Sequence, residues 1–180
     1  MRKFFWSLFE VVETVVVAVI AVILVRTFIA QPFLVSGSSM EPNFKDGDYL
    51  LVDELAFRFR EPVRGEVVVF KYPGDHKTYY IKRIIGLPGE RVVIKDDLVV
   101  VYGMDDKKIE LKESYISGMS IQRDVNETLS KNEYFVMGDN RDFSYDSRSW
   151  GPLTRGEVTG VVKLRLWPFN SVNTFKPATY

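Results

Sequence analysis

Pro62-Val63-Arg64-Gly65-Glu66-Val67-Val68-Val69-Phe70-Lys71 reads as a turn that launches a strand. Its middle is apolar at consecutive positions, the pattern of a strand buried on both faces and so central in a sheet. The loop after it leads to a second strand over Thr78–Ile85. Gly86-Leu87-Pro88-Gly89 is a tight turn, and Arg91–Lys95 and Leu98–Tyr102 pair as a hairpin across Asp96-Asp97. Upstream, Tyr49–Val52 is a short strand; downstream, Glu133–Met137 is another and Val158–Trp167 a long one closing the domain. Residues 36–48 read as turn and loop, Leu55–Glu61 as irregular, and 103–132 as a polar, mobile excursion with low strand signal. Glycine, proline, β-branched and aromatic residues are frequent beyond residue 35, so the expected class is mostly β.

The amino-terminal segment differs. Arg2, Lys3 and an aromatic cluster precede a run from Val11 to Ala30 that is apolar except for Glu13, Thr14, Arg26 and Thr27. The uncharged centre, Thr14–Val25, has 12 residues, short of the roughly 20 that span a bilayer. Glu13 and Arg26 lie near its ends, where long side chains reach headgroups. The reading is one transmembrane helix over about residues 9–30, closed by Pro32. A cleavable secretory signal is one alternative, poorly matched by Arg26-Thr27-Phe28-Ile29-Ala30-Gln31-Pro32; a buried helix of a soluble protein is another. Charge asymmetry barely decides the orientation. The domains are then 1–31, a short tail and anchor, and 32–180, one β-rich domain, since 180 residues hold one membrane segment and one domain of ordinary size. With 24 basic and 24 acidic residues there is no bulk electrostatic case for nucleic acid as a partner. No cysteine and one histidine leave little basis for thiolate chemistry or a transition-metal site, and no cofactor is expected.

Between anchor and first strand lies Val35-Ser36-Gly37-Ser38-Ser39-Met40-Glu41-Pro42, a small-residue bend that packing alone does not require. A serine hydroxyl is a weak nucleophile until a base takes its proton. His76, the only histidine, sits among turn formers in Tyr72-Pro73-Gly74-Asp75-His76-Lys77, and a Ser-His-Asp triad would depend on it. Lys82, inside Tyr79-Tyr80-Ile81-Lys82-Arg83-Ile84-Ile85, is the better candidate. Its reference pKa near 10.4 must fall for it to act as a base, and burial has that effect. Alternation sets Tyr80, Lys82 and Ile84 on one face and Ile81, Arg83 and Ile85 on the other. A solvent-facing structural lysine remains the bland alternative. A second constellation, Gly138–Gly151, interleaves Asp and Arg closely enough for guanidinium–carboxylate pairs to fix the loop. Its alternatives are a solvated charge cluster or a cation loop, although the EF-hand pattern is absent.

Ser39-Met40-x-Pro42 after a membrane helix, Tyr80-Ile81-Lys82-Arg83-x-x-Gly86-x-Pro88-Gly89, and Gly138-Asp139-Asn140-Arg141-x-x-Ser144-x-Asp146-Ser147-Arg148-x-Trp150-Gly151 together resemble a bacterial type I signal peptidase. Gly47-Asp48, Arg64-Gly65-Glu66 and Leu166-Trp167-Pro168-Phe169 agree in order, and the compact form resembles the Gram-positive branch. The resemblance implies an antiparallel β-sheet or β-barrel-like catalytic domain of the signal peptidase/LexA-like type. It implies a membrane-bound serine endopeptidase that removes signal peptides from secreted preproteins, cutting after Ala-x-Ala. Ser39 would be nucleophile and Lys82 general base; Ser144 would orient Lys82; Asp139, Arg141, Asp146 and Arg148 would brace the site. Phe33, Val35, Met40, Val69, Tyr80 and Ile81 would contact substrate. The oxyanion hole would use the Ser39 N–H, and Gly37 stands where some relatives have a helping serine. The implied partners are signal peptides and membrane lipid, with neither metal nor nucleic acid. The implied location is the cell membrane, single-pass, with the amino terminus cytoplasmic and the catalytic domain outside.

Three rivals share parts of this pattern. A self-cleaving LexA-like repressor would be soluble, with a helix-turn-helix where this chain has its apolar helix. A non-enzymatic single-pass protein would keep every activity after Ser39→Ala. A mitochondrial inner-membrane peptidase shares the motifs.

Overall fold

The computed structural model describes residues 2–28, 30–55, 59–116 and 124–180, with the side chains of the first helix described at Trp6 and from Phe9 to Val22. That helix, α1, is Arg2–Phe28. The strands are β1 (Ala30–Leu34), β2 (Tyr49–Asp53), β3 (Val67–Lys71), β4 (Tyr79–Gly86), β5 (Arg91–Lys95), β6 (Leu98–Tyr102), β7 (Lys108–Glu110), β8 (Val125–Thr128), β9 (Glu133–Met137), β10 (Leu153–Thr154), β11 (Val158–Trp167) and β12 (Asn173–Thr174), with a short helix α2 (Ser147–Trp150) between β9 and β10. They form two sheets. The larger runs β1-β2-β11-β3-β4-β9-β10, with β12 also on β11; the smaller runs β7-β6-β5-β8. Every pairing is antiparallel. The larger path is open, from β1 to β10, rather than a closed barrel.

β3 explains the architecture. Val67, Val68, Val69 and Phe70 are all buried, because β3 lies between β11 and β4 with a core on each face. Val68 and Phe70 pack with Ile84, Tyr134, Val136 and Leu153. Val67 and Val69 pack on the other side with Val35, Met40, Phe44, Leu50 and Val52. A strand with two dry faces has no room for polar alternation, which is why this run is uniformly apolar. A third cluster, including Ile85, Val92, Ile94, Val101, Phe135 and Met137, joins the smaller sheet to the ends of β4 and β9. The β5–β6 hairpin forms across Asp96 and Asp97, both at positive φ (49° and 64°). Two consecutive left-handed residues match the twist of a two-residue hairpin, and Asp tolerates that region better than most.

Three expectations need correction. The helix ends at Phe28 rather than residue 30, and Pro32 lies inside β1, paired with Leu51, instead of closing the helix. An edge strand accepts proline because one side of its ladder is unpaired. The stretch 103–132 contributes strands β7 and β8 to the smaller sheet, held by buried Leu111 and Leu129. Three- and four-residue strands are too short for their periodicity to stand out. Residues 56–58 of the irregular stretch and 117–123 of this excursion lie outside the described residues. Finally, among the described residues no helix is long and apolar enough to cross a membrane.

Candidate active site

The bend after β1 is built by short local contacts. Gly37 sits at φ +92°, a region that favours glycine, and its N–H donates to Asp46 Oδ1 at 2.8 Å. Val35 N–H donates to Asp48 O at 2.9 Å and Gly47 N–H to Val35 O at 3.0 Å. One helical turn follows, with Phe44 N–H donating to Met40 O at 2.9 Å, so that Met40 and Phe44 both point into the core. The bend is thereby nailed down from below, and Ser39 is left half-buried at the rim.

β4 brings Lys82 to the same spot. Lys82 is 4% exposed, with Nζ 2.7 Å from Ser39 Oγ and 2.9 Å from Ile81 O. The 2.7 Å separation suits either protonation state: an ammonium donates to Oγ, and a neutral amine accepts from the hydroxyl. Burial lowers the Lys82 pKa from 10.5 to about 8; Asp146 and Asp139 pull it back up, and Arg148 pushes it down. The bland alternative, a solvent-facing lysine, is excluded by this burial.

The polar block from Gly138 packs against the Ser39 loop, while the hydrogen bonds of the amine go to Ser39 Oγ and Ile81 O. Asp139, fully buried, accepts a two-pronged contact from Arg83 (Nε to Oδ1 2.8 Å, Nη2 to Oδ2 2.6 Å) and one from Asn43 Nδ2 at 2.9 Å. Arg141 donates to Gly138 O at 3.1 Å and pairs through both Nη atoms with Glu113. Asp146 accepts from Gly138 N–H at 2.9 Å and from Arg148 Nε at 2.8 Å, and its side chain caps α2. Asn140 completes the attachment: its N–H donates to Ser39 O and its Nδ2 to Ser38 O, each at 3.1 Å. The approach is so close that a Cβ on Gly138 would lie 2.2 Å from Ser144 Oγ and 2.4 Å from Ser39 O.

Beside the pair is a cleft of about 420 Å³ lined by Phe33, Val35, Val69, Tyr80 and Ile81, five of the expected substrate contacts, with Ser39 and Lys82 in its wall. Met40 is a correction: it is 1% exposed in the core beneath the bend and does not line the cleft. Its position opening a helical turn aims it inward. Ser144 is placed close by, but its Oγ is buried without a hydrogen-bond partner and makes no bond to Lys82. His76 is exposed, 3.5 Å from Glu157 and outside the cleft, so no Ser-His-Asp arrangement forms.

Residues 8–167 match the sequence model of the family described as signal peptidase, peptidase S26. The chain belongs to this family. It is 37% identical over 173 residues to signal peptidase I of Bacillus licheniformis, covering 92% of each chain. It is 39% identical over 171 residues to signal peptidase I V of Bacillus subtilis, covering 90% of this chain and 98% of that one. A crystal structure of a signal peptidase I from Enterococcus faecalis has 31% sequence identity and a TM-score of 0.48, covering 57% of this chain and 97% of that one. As a member of the peptidase S26 family, the chain is an enzyme, a serine peptidase.

Several residues of the site were not singled out from sequence. Arg83 carries the same signal as Lys82, a charge inside an apolar strand, on the opposite face. Asn43, Glu113 and Tyr115 carry none. Tyr115 O accepts from Asn43 Nδ2 at 2.7 Å, and its ring lies 4.2 Å from the Arg83 guanidinium. Segment 113–115 therefore backs Asn43, Arg83 and Arg141 and does not line the cleft.

Proposed function

We propose that this chain is a membrane-anchored endopeptidase that removes signal peptides from preproteins by a Ser39–Lys82 dyad. The observation that carries the reading is the 2.7 Å contact between the Ser39 hydroxyl and an almost fully buried lysine amine whose pKa burial has lowered to about 8. A neutral Lys82 takes the Oγ proton while Oγ attacks the scissile carbonyl carbon. The tetrahedral oxyanion is met by the Ser39 N–H, and collapse expels the amine, which takes the proton back from Lys82. Water then attacks the acyl-enzyme ester, giving its proton to Lys82, and Ser39 leaves with that proton. Relatives named signal peptidase I support the choice of substrate.

Substrate binding as an extended strand is supported by the pairing of β4. β9 takes Arg83, Ile84 and Gly86, leaving Tyr79–Lys82 without a strand on that side among the described residues. A preprotein segment added there gains main-chain hydrogen bonds, and the shallow apolar floor of Val35, Val69 and Ile81 suits small side chains such as the alanines of Ala-x-Ala. Ser144 is assigned the orienting of Lys82 during the cycle, supported by its buried, unpartnered hydroxyl beside the Ser39 loop. Asp139, Arg141, Asp146 and Arg148 brace the loop through their buried pairs.

The anchor is α1. Its apolar run from Val11, broken by Glu13 and Thr14, supports a seat against the bilayer, while no described helix is long and apolar enough to cross it. Its described side chains from Phe9 to Val22 are exposed on all sides, as a lipid-facing helix requires. With the amino tail cytoplasmic, Ser39 stands at the outer surface of the bilayer, where signal peptides emerge. The test is incubation of the full chain in liposomes with a labelled Ala-x-Ala preprotein, mapping the cut by mass. Cleavage after the second alanine that vanishes in Ser39→Ala and in a folded Lys82→Ala is expected. Normal cleavage by Lys82→Ala refutes the dyad.

A further inference from the structure

The cleft has two chemically different walls. One is aliphatic, with Val35, Val69 and Ile81; the other is aromatic, with Tyr80, Phe143 and Tyr145. The two walls follow the alternation of β4. Ile81 turns to the core face shared with Val35 and Val69, and Tyr80 to the face of Phe70 and Ile84. In the loop over the cleft, Ser144 and Asp146 point inward while Phe143 (73% exposed) and Tyr145 (52% exposed) point out. Nothing in the fold uses those two rings as core. Tyr145 is nonetheless held: its hydroxyl is 3.3 Å from that of Tyr72, whose ring stacks on Tyr80 at 4.9 Å and 21°.

An extended chain lying along Tyr79–Lys82 sends successive side chains to opposite sides. If the residue before the scissile bond and the one two places earlier enter the aliphatic floor, the residue between them faces the aromatic wall. We propose that Phe143 and Tyr145 select the middle residue x of Ala-x-Ala, favouring large apolar side chains over glycine and aspartate. This rests on the reading of Ser39, Lys82 and a strand-like substrate given above. The rings offer flat apolar area and no cation to an acidic side chain, and a large x removes part of the exposed Phe143 and Tyr145 surface from water.

The experiment uses the full chain, in detergent and again in liposomes, with peptides Ala-x-Ala of otherwise constant sequence, x being Gly, Leu, Phe or Asp. The wild type is expected to show kcat/KM higher for Leu and Phe than for Gly by roughly tenfold, the usual size of such a pocket effect. In Phe143→Ser/Tyr145→Ser that ratio collapses toward one, and Tyr145→Phe, which keeps the ring, retains most of it. A wild-type ratio near one overturns the inference whatever the variants do, and so does an unchanged ratio in a folded double variant. A loss equal for all four peptides and seen only in liposomes also overturns it, since the rings then contact lipid. Failure to cut any peptide sinks the dyad and substrate reading instead, so the two failures are distinguishable.

Discussion

Replacing Lys82 by methionine is expected to abolish turnover and yet leave the protein at least as stable at neutral pH. The lysine pKa falls from 10.5 to about 8 on burial. A gap of that size is worth about 3 kcal/mol, at about 1.4 kcal/mol per pH unit. The sign follows from proton binding: between these two values the unfolded chain holds more protons on this amine than the folded one, so stability rises with pH there. Below pH 8 the folded protein carries the whole penalty of a buried ammonium; above 10.5 it carries none. Lys82→Met removes the penalty but also the contacts to Ser39 Oγ and Ile81 O, about 1 kcal/mol each. The variant is therefore about 1 kcal/mol more stable than wild type at pH 7 and about 2 kcal/mol less stable above pH 10.5. Denaturant or thermal unfolding of both proteins in detergent, across pH 6.5 to 11, reads this directly. Over the same range the wild-type kcat/KM rises through a midpoint near pH 8, as the neutral amine accumulates. A stability difference between variant and wild type that stays constant with pH would refute the reasoning, because it would mean that Lys82 titrates alike in both states.

Three further substitutions probe the frame around the pair. Glu113→Gln leaves the guanidinium of Arg141 buried and without its charged partner, which is expected to cost about 3 kcal/mol in a denaturation curve; no measurable change would show the loop to be held by other contacts. Gly138→Ala brings a methyl to within 2.4 Å of the Ser39 carbonyl oxygen, so it should cost about 1–3 kcal/mol and lower kcat as the nucleophile loop moves. Equal activity and melting temperature would refute that close approach. Ser144→Ala removes a hydroxyl with no partner, so stability should hold or rise by up to about 1 kcal/mol while single-turnover cleavage slows; unchanged cleavage removes Ser144 from the mechanism.

Both sheets were legible where the chain's pattern is decided locally. The four-residue apolar run of β3 and the Asp96-Asp97 hairpin needed no distant information, because burial on both faces and a turn of fixed hand each leave a mark in the sequence. The same logic fails for β1, β7 and β8. Pro32 reads as a terminator unless one knows that its strand lies at an edge, and a three-residue strand such as Lys108–Glu110 shows no period at all. Of the site, the residue types were visible and the supports were not. Lys82 could be read as base or as surface lysine until its burial was known, and Met40 belongs to the same motif as Ser39 but serves the core.

What links these cases is that the Ser39–Lys82 contact is made by segments that do not pair with each other in the sheet. β4 delivers the lysine as part of a continuous ladder, whereas Ser39 sits on a bend outside any strand. Its position is fixed from below by Met40 and Phe44 and from the side by Asn140, which bonds the carbonyls of both Ser38 and Ser39. Asn140 is in turn flanked by Asp139 and Arg141, each locked by a buried partner from another part of the chain, Arg83 on β4 and Glu113 beyond β7. Because Arg83 follows Lys82 directly, the strand that carries the amine also holds the loop that holds the hydroxyl. A shift of β4 along its length would therefore carry both members of the pair together, which is a physical reason for the alternating Lys82-Arg83 to have opposite faces and separate anchors.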